Sequence, residues 1–170
     1  MKPFLEKIRL DYPDIQFVED SSFSWSPKTK QVFYSQSSNN RDAKYSIIHE
    51  LSHALLNHTQ YSTDYELLQL ETEAWEHAKL IAKKYKIEIS DNHIQDCLDS
   101  YRDWLYRRSI CPTCGTKSVQ YDNRNIYGCF NCHTTWNVTS ARFCRPYRNY
   151  KENEKSSVTF TVTDDPLINS

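Results

Sequence analysis

The chain has 170 residues, 38% hydrophobic and 25% charged, with a formal net charge of −1; that suits one packed domain with a small satellite and is too short for two full domains. Four Trp, twelve Tyr and seven Phe supply ample core material and argue against general disorder. Only two glycines occur, Gly115 and Gly128, which excludes a Walker A loop, a GxGxxG dinucleotide turn and a GxSxG nucleophile elbow.

In chain order, Phe4, Leu5 and Ile8 mark a short first helix that Pro13 ends. Alternation then takes over in Phe17, in Phe23 and Trp25, and in Val32 and Tyr34. Ser26-Pro27-Lys28-Thr29 lies between the last two runs as turn chemistry, so an antiparallel hairpin is expected. Ser37-Ser38-Asn39-Asn40 offers N-cap residues for the next element. Helical periodicity follows over 42–57, 64–86 and 90–107. From Ser109 to Asn137, both glycines, paired cysteines and short aromatic runs predict a small β module. Beyond it, Val158–Val162 reads equally as a late strand or as part of a disordered tail.

Charge divides the chain the same way. Residues 1–100 carry 11 basic and 16 acidic side chains, residues 101–150 carry 8 and 2, and the last 20 carry 2 and 4. The expected organisation is a catalytic-type unit over 1–107, a ribbon over 108–140, and a basic-aromatic then acidic tail over 141–170. No apolar run approaches the roughly 18 residues of a membrane span, and Met1–Lys7 has no apolar leader core. The expectation is a cytoplasmic protein with no membrane partner.

His49-Glu50-Leu51-Ser52-His53 is an HExxH motif. Residues i and i+4 share a helix face, so both imidazoles reach one metal ion, while Glu50 is turned by about 100° toward a metal-bound water. A catalytic zinc needs a third protein ligand and one open position. A histidine ten residues after the first is absent, since Thr59 stands there. His58 is about 140° around the helix from His53 and reads as a surface or capping residue. On the next helix the apolar face is Leu67, Leu70, Ala74, Ala78, Ile81 and Tyr85. Periodicity there leaves Glu71 and His77 as the core-facing candidates.

The second motif is Cys111-Pro112-Thr113-Cys114-Gly115 with Cys129-Phe130-Asn131-Cys132. Two CxxC knuckles predict a structural zinc held by four thiolates, with Gly115 in a left-handed turn. Cys97 reads as a core thiol, Cys144 as an unpaired tail thiol, and His133 as a neighbour rather than a ligand. Arg107, Arg108, Lys117, Arg124, Arg142, Arg145 and Arg148 interleave with Tyr106, Tyr121, Tyr127, Trp136, Phe143 and Tyr147. That mixture suits nucleic acid, and it also suits an acidic protein surface.

His49–Leu56 followed by Glu71-Thr72-Glu73-Ala74-Trp75-Glu76-His77-Ala78 resembles the ImmA/IrrE family of zinc metallopeptidases, with its HELxHxLL and ExEAN-x-FA helices. The resemblance covers about residues 40–85. It implies an α+β fold in which a helical zincin-like domain carries a small N-terminal antiparallel hairpin or sheet, to which this chain adds a C-terminal zinc ribbon. It also implies His49, His53 and Glu71 as ligands of a catalytic zinc, with Glu50 as general base and a zinc-bound water as nucleophile. Trp75 stands where the family has Asn or Asp, and His77 where it has Phe, which keeps Glu73 and His77 as fallback ligands. The implied activity is endoproteolysis of a specific protein, such as a transcriptional repressor. Two other readings stand beside it: a SprT-like protease acting on DNA-bound protein, whose third ligand is a histidine, and a non-catalytic zinc-ribbon adaptor for nucleic acid or protein. Tyr61 and Tyr65 are candidates for supporting the oxyanion.

Overall fold

A computed structural model describes residues 1–35, 41–121, 125–139 and 148–150. Helix α1 (Lys2–Asp11) carries Pro3 in its first turn, buries Leu5 and Ile8, and stops at Tyr12, which precedes Pro13 and leaves the helical region. Strands β1 (Gln16–Glu19), β2 (Ser24–Ser26) and β3 (Gln31–Tyr34) form one sheet in the order β1-β3-β2.

The expected hairpin is β2–β3, with Trp25 opposite Val32. The third strand corrects the antiparallel expectation: β1 lies parallel to β3, pairing Phe17 with Val32, so the sheet is mixed. Alternation determines which side chains are buried, but not which neighbour a strand takes or in which direction. Here the chain crosses from β1 to the far edge before the hairpin brings it back between the two strands. Val158–Val162 and Ser37–Asn40 lie outside the described residues.

Helix α2 (Arg41–Leu55) is central, packed against β2 and β3 on one side and α3 (Asp64–Lys84) on the other. Ile47, Ile48 and Leu51 are fully buried, as expected for a helix apolar on most sides. Thr63 caps α3 by accepting the Glu66 amide at 3.1 Å. The buried stripe of α3 contains Ala74, Ala78 and Ala82, small residues that let α2 approach closely. Relative to the periodicity reading, the stripe is turned toward Trp75 and Ala82. Leu67 and Leu70 border a cleft instead.

Helix α4 (Asp91–Ser109) is capped by Ser90 and buries Ile94, Leu98, Tyr101, Trp104 and Arg108. It leads directly into a second sheet, β4 (Val119–Gln120), β5 (Ile126–Gly128), β6 (Thr135–Val138) and β7 (Arg148–Tyr150), antiparallel in that order. A Cβ at Gly128 would meet the outer end of the Tyr121 ring, a half-exposed side chain that would have to swing aside. Cys111, Tyr127, Cys129, Trp136 and Val138 form a small core, separate from the main one that runs from Leu5 to Leu98.

The two cores meet at a buried ion pair. Asp64, 2% exposed at the start of α3, accepts from Arg108 Nε at 2.7 Å and from the Tyr127 hydroxyl at 2.6 Å. Its own amide donates to Gln120 Oε1 at 2.7 Å. The Arg108 guanidinium also donates to the Thr139 carbonyl and stacks over Trp104 at 4.2 Å, while the Arg108 carbonyl accepts from Trp136 Nε1 at 3.0 Å. Removing one member strands the other charge in a low-dielectric setting. Asp64→Ala is therefore expected to destabilise the protein by about 3–5 kcal/mol in denaturant unfolding, and the Asp64→Ala/Arg108→Ala double variant by less than the sum of the singles.

Candidate metal centre

Helix α2 stacks His49 and His53 one turn apart on its α3-facing side, with ring centroids 4.7 Å apart. Their Nε2 atoms converge to 3.1 Å. From α3, Glu71 brings Oε2 to 3.1 Å from His49 Nε2 and Oε1 to 3.7 Å from His53 Nε2. All three residues are nearly buried. Donors bound to zinc at about 2.0–2.2 Å in a tetrahedron stand about 3.3–3.6 Å from one another, so these spacings match one ion held by two imidazoles and a carboxylate. Two imidazole nitrogens and a carboxylate directed at the same buried point fit a cation.

Burial by itself would raise the Glu71 carboxyl, but hydrogen bonds and charge interactions with His49 and His53 outweigh it and hold the group well below the usual carboxylate range. Glu50 moves the other way: burial dominates and raises it above its ordinary value of 4.5, against the opposing pull of both histidines. The backbone of Trp25 on β2 pulls in the same opposing sense as the histidines. Glu50 opens onto a cleft of about 480 Å³ walled by Phe23, Trp25, Leu67, Leu70 and Tyr101. Tyr61 lines this cleft as well. Tyr65 is 75% exposed and borders a different hollow between α3, α4 and β4.

The outer sides of the two histidines differ. His49 stacks on Trp75 at 4.2 Å and 25°, and its buried Nδ1 has no hydrogen-bond partner among the described residues. His53 Nδ1 instead faces His58 Nδ1 at 2.9 Å, and His58 Nε2 lies 3.5 Å from Glu73 Oε2. His58 is only 8% exposed, which corrects the surface half of the surface-or-capping expectation, while its amide does close the end of the helix. The helical angle of about 140° does not apply because α2 has already ended. Asn57 adopts a left-handed φ of 55°, its amide bonds to the Ala54 carbonyl, and the His58 amide returns to the His53 carbonyl at 3.0 Å. This Schellman turn folds His58 back over His53. The signal available in the sequence was Asn57, a residue suited to that left-handed position. Glu73 is exposed and occupied by His58 and Gln69. His77 is half-buried and not among the converging donors.

The Cys111, Cys114, Cys129 and Cys132 sulfurs all lie within 4.8 Å of one another, with Cys111–Cys132 and Cys114–Cys129 at 3.5 Å. The two knuckles are built alike. The Gly115 amide returns to the Cys111 carbonyl at φ 74°, and the His133 amide returns to the Cys129 carbonyl at φ 60°. Burial pushes the Cys111 thiol up to about 11, whereas the Thr116 hydroxyl holds Cys114 down at about 5. This thiol set suits a closed structural zinc site. Of the basic and aromatic residues around it, Arg108, Tyr127 and Trp136 are buried and committed to the interior. Lys117 lies 4.7 Å over the exposed ring of Tyr106. Arg124, Arg142, Phe143, Arg145 and Tyr147 lie outside the described residues, as does Cys144.

The family model of the IrrE N-terminal-like domain, peptidase family M78, matches residues 7–97. No curated protein and no solved structure matches the chain. No helix among the described residues is long and apolar enough to cross a membrane.

Two zinc ions per chain are expected by elemental analysis of the purified protein, and Glu71→Ala should lose the ion at the α2–α3 site while keeping the one bound by the cysteines. Gly115→Ala should destabilise the ribbon by about 1 kcal/mol in thermal unfolding, whereas His133→Gly, which relieves the same left-handed strain, should be neutral or stabilising.

Proposed function

Since the chain belongs to the IrrE N-terminal-like family of peptidases, we propose that it is a zinc-dependent endopeptidase that hydrolyses a protein substrate laid across the cleft between β2 and α3. The observation carrying this reading is the convergence of His49, His53 and Glu71 on one buried point beside Glu50, at the floor of a cleft. His49, His53 and Glu71 would hold the metal. When bound, zinc supplies Lewis acidity to the water and carbonyl that react there.

Glu50 removes the proton from the attacking water and returns it to the leaving amine. Its raised pKa brings it closer to the working pH. Tyr61, on the same cleft, offers a hydroxyl toward the developing oxyanion. Strand β2 is a sheet edge whose Ser24 and Trp25 line the cleft, so an extended peptide can dock along it through main-chain hydrogen bonds. The resemblance to the ImmA/IrrE family extends the proposal to a transcriptional repressor as substrate, with the ribbon as a docking module for that partner or its nucleic acid. An acidic third donor separates this arrangement from the SprT-like plan, and the presence of Glu50 speaks for catalysis over an adaptor role.

Glu50→Gln is expected to bind both zinc ions yet cut peptide libraries about 10²–10⁴-fold more slowly, read by mass spectrometry; full activity in this variant would remove Glu50 from the mechanism. The wild-type rate should rise with pH as Glu50 loses its proton. Because burial raises that pKa, the acid limb should lie above the 4.5 of an ordinary glutamate, and Glu50→Gln should abolish it.

A further inference from the structure

The His53–His58–Glu73 contacts allow one arrangement of protons. An imidazole that points its Nε2 lone pair at a metal carries its proton on Nδ1. For His53 that proton is directed at His58 Nδ1, 2.9 Å away, which must then be the bare nitrogen. The proton of His58 therefore sits on Nε2, facing Glu73 Oε2 at 3.5 Å. Donation runs one way, from His53 to His58, whose Nε2 proton then faces the carboxylate across an ion-pair contact.

His58 is held for this task on its backbone as well. Its amide donates to the His53 carbonyl at 3.0 Å, and its carbonyl accepts from Trp25 Nε1 at 2.9 Å. The contrast with His49 sharpens the point, because that ring is steadied by stacking on Trp75 and its Nδ1 has no hydrogen-bond partner among the described residues. We propose that His58, backed by Glu73, is a positioning residue that locks His53 in the metal-binding tautomer and orientation. The proposal rests on the reading of His49, His53 and Glu71 as metal ligands. Outer hydrogen bonds of this kind are worth about 10–100-fold in metal affinity.

The test uses the full chain and measures zinc affinity at the α2–α3 site by chelator competition, with the cysteine-bound zinc and circular dichroism as folding controls. His58→Leu fills the space without an acceptor and should weaken binding by about 10–100-fold. His58→Asn places an oxygen where Nδ1 was and should restore most of the loss. Glu73→Ala should have a smaller effect than His58→Leu, because the carboxylate side chain is 45% exposed and water can replace it. In zinc-loaded wild type, imidazole ¹⁵N correlation spectra should show His53 protonated on Nδ1 and His58 on Nε2. Unchanged affinity in His58→Leu, equal losses in His58→Leu and His58→Asn, or a proton on His58 Nδ1 would each overturn the positioning role. A wild-type chain that binds only the ribbon zinc would instead overturn the metal-centre reading itself, and this inference with it. Should His58→Leu fail to fold, His58→Asn and the wild-type spectrum still decide.

Discussion

A single buried carboxylate, Asp64, governs how the parts of this molecule sit together. It opens α3, and its side chain and amide are held by Arg108 at the end of α4, Tyr127 on β5 and Gln120 on β4. Glu71 lies two turns further along the same helix, so the placement of the third donor depends on an anchor at the ribbon. An ion pair this deep is costly to desolvate, and only a full set of hydrogen bonds makes it tolerable. Its geometry leaves little freedom in the rotation or register of α3. The charge break in the sequence thus coincides with a surface where opposite charges are buried together, rather than with a flexible joint.

Within the candidate site, two glutamates are driven apart by their surroundings. Glu71 is tied to two imidazoles and remains an anion; Glu50 is desolvated and drawn toward its neutral form. The same side-chain chemistry is thereby held on opposite sides of the ordinary carboxylate range. The helix geometry makes the division possible. The i to i+4 spacing presents both histidines to α3, and the intervening residue turns Glu50 toward β2 and the open cleft.

What could be read from the sequence follows how local each feature is. HExxH and the CxxC knuckles place their donors within one helical turn or one tight loop, and the structure finds the groups close together. Glu71 depends on contact between helices. Its angle from the apolar stripe left His77 equally eligible, until the rotation of the stripe toward Trp75 and Ala82 carried Glu71 to the histidines. His58 was hidden because a helical wheel extends a helix beyond its cap, while Asn57 reverses the chain there. The parallel pairing of β1 was hidden because a period of two is blind to strand order. Arg108, Tyr127 and Trp136 looked like surface chemistry by composition. Their burial depends on partners more than twenty residues away, including Asp64.

The scarcity of glycine has a counterpart in the unfolded chain. Among the described residues of the first 110, every left-handed turn is made by an ordinary side chain, Lys30 closing the β2–β3 connection, Asn57 ending α2 and Lys86 ending α3, each at φ 55°. Such conformations are strained for residues bearing a Cβ. The same Cβ atoms also narrow the range of backbone states open to the denatured ensemble, so less entropy is lost when the turns form. Stability at these corners is thus set on both sides of the folding equilibrium, by tension in the native turn and by restriction of the chain before it folds.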